Sequence, residues 1–225
     1  MVEKLRVILE VGRKERRIVA GATDWPGLDR WGKTDEDAVA TLQSYRPRYA
    51  DVAERAGLAE EFAYHADVQI VERVTGSGSA DYWGIAHVPS GIEGAVLAPA
   101  ELDRRLALLQ AGWSYFDDVA ERVSGELRPG PRGGGWTRDE ILRHVHVNEP
   151  QQFTRKVEVR TPRDVILTAD GRAVHREATL DAIRAYNAEG RIAGRSWPIQ
   201  FLIRRITHHV MDHAWEMEDR DLTGG

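Results

Sequence analysis

The sequence predicts an α+β fold: a small N-terminal α/β module followed by an antiparallel four-helix bundle. Three observations carry this. Apolar and polar residues alternate in two stretches before Thr75, as in half-buried strands (Leu5, Val7 and Leu9; Val68, Ile70 and Val74). Beyond Pro99 the apolar residues instead recur at three- and four-residue spacings, the period of amphipathic helices. Between them lies a Gly- and Pro-rich stretch without a period. The chain therefore divides into a module at 1–75, a connecting segment at 76–98 and a helical part at 99–225.

Within the module, the polar Gly12-Arg13-Lys14-Glu15 turn between Leu5–Glu10 and Arg17–Ala20 predicts a hairpin. Thr34 followed by Asp35, Glu36 and Asp37 reads as an N-cap with acids at the positive end of a helix. That helix is expected to reach Tyr45, with Pro47 starting or kinking a second segment. A strand over Ala66–Val74 then closes the module. The Thr75-Gly-Ser-Gly-Ser79 run lacks the lysine and following helix that a phosphate loop needs. Tyr82, Trp83 and Ile85 are expected to be buried, and the connection is too poor in polar spacers for a free tether, so the module should pack on the helices.

In the helical part, Leu102, Leu106, Leu109, Trp113, Phe116, Ala120 and Val123 form one long core stripe. A second helix starts near Trp136 and Thr137, and Pro150 should interrupt it. A loop turning at Asp170-Gly171 precedes a third helix, which carries Leu180, Ile183 and Tyr186 and ends at Gly190. The fourth runs from Pro198 to about Asp219.

Composition narrows the chemistry. The 225 residues contain no cysteine, which removes thiolate catalysis, thiolate ligands and disulfides, and leaves histidine and carboxylate as the strong metal ligands. Thirty-six acidic against 31 basic side chains give a net charge of -5, which argues against a nucleic-acid partner. Met1 to Val11 lacks the apolar stretch of a signal peptide, and no later run is long enough to span a bilayer; a cytoplasmic protein without a membrane partner is expected.

The fourth helix carries His209 and His213, four residues apart. At 100° per residue they sit about 40° apart and one turn above each other, so both can reach one ion. They lie on the edge of the apolar face set by Leu202, Ile203, Ile206, Val210 and Met217. A third ligand must come from another element, and His144 lies beside the inward Ile141 and Val145 of helix two. His146 and His208 point elsewhere by the same wheel. An inward histidine is equally at home as a hydrogen-bonded core residue, so spacing alone leaves both readings open. Glu216 and Asp212 are candidates for a general base or for an acceptor behind an imidazole, and otherwise ordinary ion-paired carboxylates. Arg205, one turn before His209, can hold an anionic substrate group or simply face solvent. Asn148 and Gln151 share the face of His144.

The segments Gly135-Trp-Thr-Arg-Asp-Glu-Ile-Leu-Arg-His144-Val145 and Arg204-Arg-Ile-Thr-His-His209-Val-Met-Asp-His213-Ala-Trp-Glu216 resemble the DinB-like superfamily. The likeness spans roughly Pro99 to Arg220. It implies a four-helix bundle with metal ligands at His144, His209 and His213, holding a divalent ion: zinc first, with nickel, iron or manganese as alternatives. It implies a metal-dependent hydrolase or a thiol-dependent transferase, acting on a small-molecule substrate with an external low-molecular-weight thiol, in a chain that can form a homodimer. Trp25-Pro-Gly-Leu-Asp-Arg-Trp-Gly-Lys-Thr-Asp-Glu-Asp-Ala38 is similar to the Pro-Gly turn and helix of HicB-like antitoxin domains. That second likeness implies the rival reading, a binding or regulatory protein that recognises a protein partner through this module.

Overall fold

The computed structural model describes residues 4–63, 67–130 and 135–223. It is mixed α/β, with a four-stranded sheet at the N-terminal end followed by a helical region. Strand β1 (Leu5–Val11) pairs antiparallel with β2 (Ile18–Ala22), and β2 with β3 (Asp29–Gly32). Strand β4 (Val68–Thr75) lies parallel to β1 at the sheet edge, giving the order β3-β2-β1-β4. A parallel return needs a crossover. It is supplied by α1 (Asp35–Arg55) and the short α2 (Ala59–Ala63). Of the expected strand over Ala66–Val74, Ala66 falls outside the described residues.

The hairpin turn at Gly12–Glu15 forms as expected, with the Glu15 amide donating to the Gly12 carbonyl at 2.8 Å. Thr34 caps α1 by accepting from the Asp37 amide at 3.1 Å. The expectation that this helix ends near Tyr45 is wrong: α1 runs through Pro47 to Arg55. A proline inside a helix removes one hydrogen bond. Here Leu42, Tyr49, Val52 and Ala53 are buried on both sides of it, and the packed face holds the helix together.

Residues 76–98 form a strap fastened to both parts of the molecule. They include α3 (Gly78–Trp83) and a 3-10 turn at Gly91–Gly94. The buried Glu10 carboxylate of β1 accepts from the amides of His87 (2.8 Å) and Val88 (3.0 Å), and Glu72 of β4 accepts from those of Gly91 (2.7 Å) and Ile92 (3.1 Å). At the far end, the Asn187 amide exchanges two 2.9 Å hydrogen bonds with the backbone of Leu97. Tyr82 and Trp83 are exposed, contrary to expectation, because Asp81 and the buried Ala80 anchor α3 in place of the aromatic rings.

The helical region comprises α4 (Pro99–Arg122), α5 (Arg138–Asn148), α6 (Arg163–Ile166), α7 (Ala169–Ala188) and α8 (Ile199–Arg220). Thr137 and Glu140 form a reciprocal capping box at the start of α5. Pro150 interrupts the regular helix as expected, and the chain passes into a π-type turn at Glu149–Phe153 and a 3-10 turn at Thr154–Val157. Asp170-Gly171 is not a loop turn. Thr168 is the cap, accepting from the Gly171 amide at 3.0 Å, and both residues lie in the first turn of α7. Helices α4, α5 and α7 all pack on α8, and α4 also packs on α1.

One continuous apolar core joins the sheet to the helices, from Leu5 to Met217. The Trp25–Ala38 stretch is packed into it. Trp25 is buried with its ring edge against Phe62, at 4.7 Å between centroids, and Tyr49 donates to the Pro26 carbonyl at 2.8 Å. Gly27 adopts φ +96°, and a Cβ there would stand 2.7 Å from Cγ2 of Thr207 on α8. We expect Gly27→Ala to cost about 2 to 4 kcal/mol, from backbone strain plus overpacking, as a lowered midpoint of one cooperative thermal transition.

His146 turns away from His144, as the wheel predicts, and is buried edge-on to Phe116. Burial, with Arg172 and Arg176 nearby, pushes its pKa down to about 4. Between that value and its ordinary 6.5 the unfolded chain binds a proton that the folded chain refuses, so stability falls as pH drops through this window. Denaturant titrations at pH 7 and pH 4.5 should show a loss up to about 3 kcal/mol larger in the native protein than in His146→Phe.

Candidate metal centre

Helix α8 holds the two histidines because its first turns are buried through Ile199, Phe201, Leu202, Ile203 and Ile206, which fixes the rod's rotation. His209 and His213 then project toward α5, where the Thr137 capping box sets the start of the helix that carries His144. The three rings converge with centroids 4.8 to 5.3 Å apart. One nitrogen from each lies within 4.8 Å of the others, a group able to hold a metal ion. All three residues are half-buried.

The donor set fits such an ion on three counts. The Nε2 atoms of His144 and His209 face each other at 3.3 Å, and a tetrahedral ion about 2.05 Å from two nitrogens would set them about 3.3 Å apart. Burial drives the pKa of His144 down to about 4 and that of His209 well below its ordinary value, so both imidazoles are neutral, the form that coordinates. Behind His213, Glu216 lies 2.9 Å from Nδ1 and is itself held by Arg220 at 2.7 Å. A carboxylate on Nδ1 fixes the tautomer and leaves Nε2 for a metal.

Of the other residues singled out from sequence, Asn148 lies beside the group, its amide 2.9 Å from Nδ1 of His144. Gln151 is exposed on the π-type turn. Asp212 is on a different stripe of α8, where it pairs with Arg30 of β3 at 3.1 Å. Arg205 is not a surface residue: it is buried one turn before His209, over the Phe153 ring, and its Nε and Nη1 have no hydrogen-bond partner among the described residues. Burial lowers its pKa to about 10 even with Asp29 nearby. His208 does turn away from the group, yet it is buried against the sheet, 3.8 Å from Asp29.

Two walls of the site were missed. Trp136 stacks 6.3 Å from His213 and lies 4.5 Å from His144, and Phe153 lies 5.2 Å from His209. Trp136 directly precedes the capping box, which was the available signal. Phe153 reaches His209 through the π-type turn, which no spacing rule anticipates.

No family model, curated protein or solved structure matches this chain. Among the described residues no helix is long and apolar enough to cross a membrane.

The assignments separate by titration with Co2+, followed by its visible absorption. His144→Ala should weaken binding at least ~100-fold and Glu216→Ala about 10- to 100-fold, the usual effect of losing an outer partner. Asp212→Asn should leave it within about 3-fold, because its carboxylate faces Arg30.

Proposed function

We propose that this chain is a metal-dependent enzyme of the DinB-like type, in which α4, α5, α7 and α8 act as a four-helix bundle holding zinc on His144, His209 and His213. The reaction class is hydrolysis of a small molecule, or its transfer to a low-molecular-weight thiol. The observation that carries this reading is the His144–His209 nitrogen separation of 3.3 Å, together with the carboxylate behind His213. Cysteine is absent and, among the described residues, the group contains three ligands, so the site resembles catalytic zinc sites that keep a position open.

When bound, the metal supplies Lewis acidity toward a water, a thiol or a substrate oxygen. The residues divide the remaining work. Glu216 keeps the His213 proton on Nδ1, and its bond to Arg220 makes it a positioning residue more than a free base. Arg205 offers two unpaired N–H groups one turn from His209, suited to a carboxylate or similar anionic group on the substrate. Trp136 and Phe153 form aromatic walls on either side of the histidines. Asp212 serves the contact with the N-terminal sheet.

Elemental analysis of untagged protein should find about one zinc per chain, the stoichiometry of a three-histidine site. The loaded protein should turn over activated esters, or join a thiol such as glutathione to an activated aryl halide, and His144→Ala should lose at least ~100-fold of that rate while remaining folded. Protein that neither retains nor takes up a divalent metal, or an alanine variant with full turnover, would overturn the reading.

A further inference from the structure

Tyr82 and Trp83, the aromatic pair that the sequence placed in the core, stand on the surface beside the β1–β2 turn, where Arg13-Lys14-Glu15-Arg16-Arg17 gathers four cations in five residues. The two rings are 66% and 63% exposed, with centroids 4.5 Å apart and planes nearly perpendicular. Arg13, Lys14 and Arg16 are exposed as well. These segments lie far apart in the chain and are locked together here. Asp81 of α3 accepts from the amides of Lys14 at 2.7 Å and Arg16 at 2.9 Å, and Arg17 Nη1 donates to the Tyr82 carbonyl at 2.8 Å. Between turn and helix runs a cleft of about 410 Å³, lined by Arg13, Lys14, Arg16, Gly78, Asp81 and Tyr82.

Counted in full, this face is positive. Four cations meet two acids, Glu15 and Asp81, for a net +2 in a chain whose total is -5. Both Asp81 oxygens are engaged by backbone amides, while the side-chain heads of Arg13, Lys14 and Arg16 form no ion pair among the described residues. The negative total that argues against a nucleic-acid partner is thus reversed locally. Beyond Trp83 the neighbouring cleft carries Asp37 and Asp212, so the track open to an anion is short and ends at the aromatic ridge.

We propose that this face binds a single-stranded nucleic acid, with phosphates along Arg13, Lys14 and Arg16 and unpaired bases stacked on Tyr82 and Trp83. Cations beside accessible aromatic rings suit a ligand that alternates phosphate with planar base, and neither contact reads sequence. An acidic peptide would satisfy the cations and leave the rings without a planar partner. A duplex hides its base faces, and a flat bilayer does not enter the cleft. The hairpin and α3 are already fixed to each other, so binding orders no backbone here.

The probe is a fluorescein-labelled oligothymidylate of about 8 nucleotides, within the footprint of such surfaces, titrated into the full-length protein and followed by anisotropy. It should saturate, with a log-log salt slope of about -2 to -3 at about -0.7 per phosphate. Replacing both rings (Tyr82→Ala with Trp83→Ala) should weaken binding at least ~10-fold while keeping the slope. Removing the cations (Arg13→Ala, Lys14→Ala and Arg16→Ala together) should flatten the slope by about 2. Polyglutamate and the matching duplex should each bind native protein at least ~10-fold more weakly than the single strand, and His144→Ala should change nothing. The first two comparisons need no variant, so they decide even if a substitution impairs folding. Absence of saturation, native affinity without the rings, or equal binding of polyglutamate or duplex would each overturn the proposal. So would capture of phosphatidylserine vesicles by a protein that ignores the oligonucleotide.

Discussion

Helix α8 is buried nearly all round, and the structure depends on where its polar side chains find partners. A rod sunk this deeply would ordinarily be apolar, because a buried polar group without a partner costs more than the hydrogen bond it forgoes. Yet Arg204, Arg205, His208, His209, Asp212 and His213 all project from it. They sort into two stripes. One meets the strap and the sheet, through Arg204 with Glu93 and Asp212 with Arg30; the other meets α5, through the convergence on His144.

The N-terminal module is thus a structural counterpart of α8 as much as an appended unit. Arg30 shows how the contact is made. Its guanidinium pairs with Asp212 and lies in the corner made by Tyr45 of α1 and Trp215 of α8, whose rings meet edge to face at 5.1 Å, so one planar cation ties strand, helix and rod together. Arginine suits this place because its flat, weakly hydrated group accepts aromatic faces while still hydrogen-bonding at its edge.

Much of this was legible in the sequence because it rests on period and capping. The strands of the hairpin, the Thr34 cap, the start of α5 near Thr137, the long stripe of α4 and the pairing of His209 with His213 all follow from local chemistry. The convergence of His144 with that pair followed too, since inward faces of neighbouring helices must meet. What failed was decided by tertiary contact. Pro47 does not end α1, because packing on both sides outweighs one lost bond; Thr168, not the Asp170-Gly171 pair, sets the boundary of α7. Tyr82 and Trp83 look like core residues by type, but a neighbouring aspartate does the anchoring. Arg205 reads as a possible surface residue, and His208 only as facing away from the pair, because no wheel shows that a second module covers the far side of α8.

Placing two polar stripes on one continuous rod limits how the gene can change. A single-codon insertion or deletion between Arg204 and Glu216 would turn everything beyond it by about 100°. His213 would leave the imidazole group while Asp212 or Ala214 swung toward it, and the partners of Arg30 would shift in the same stroke. Related sequences should therefore keep the length of this interval fixed and confine gaps to the turns that join the helices, where an added residue rotates nothing.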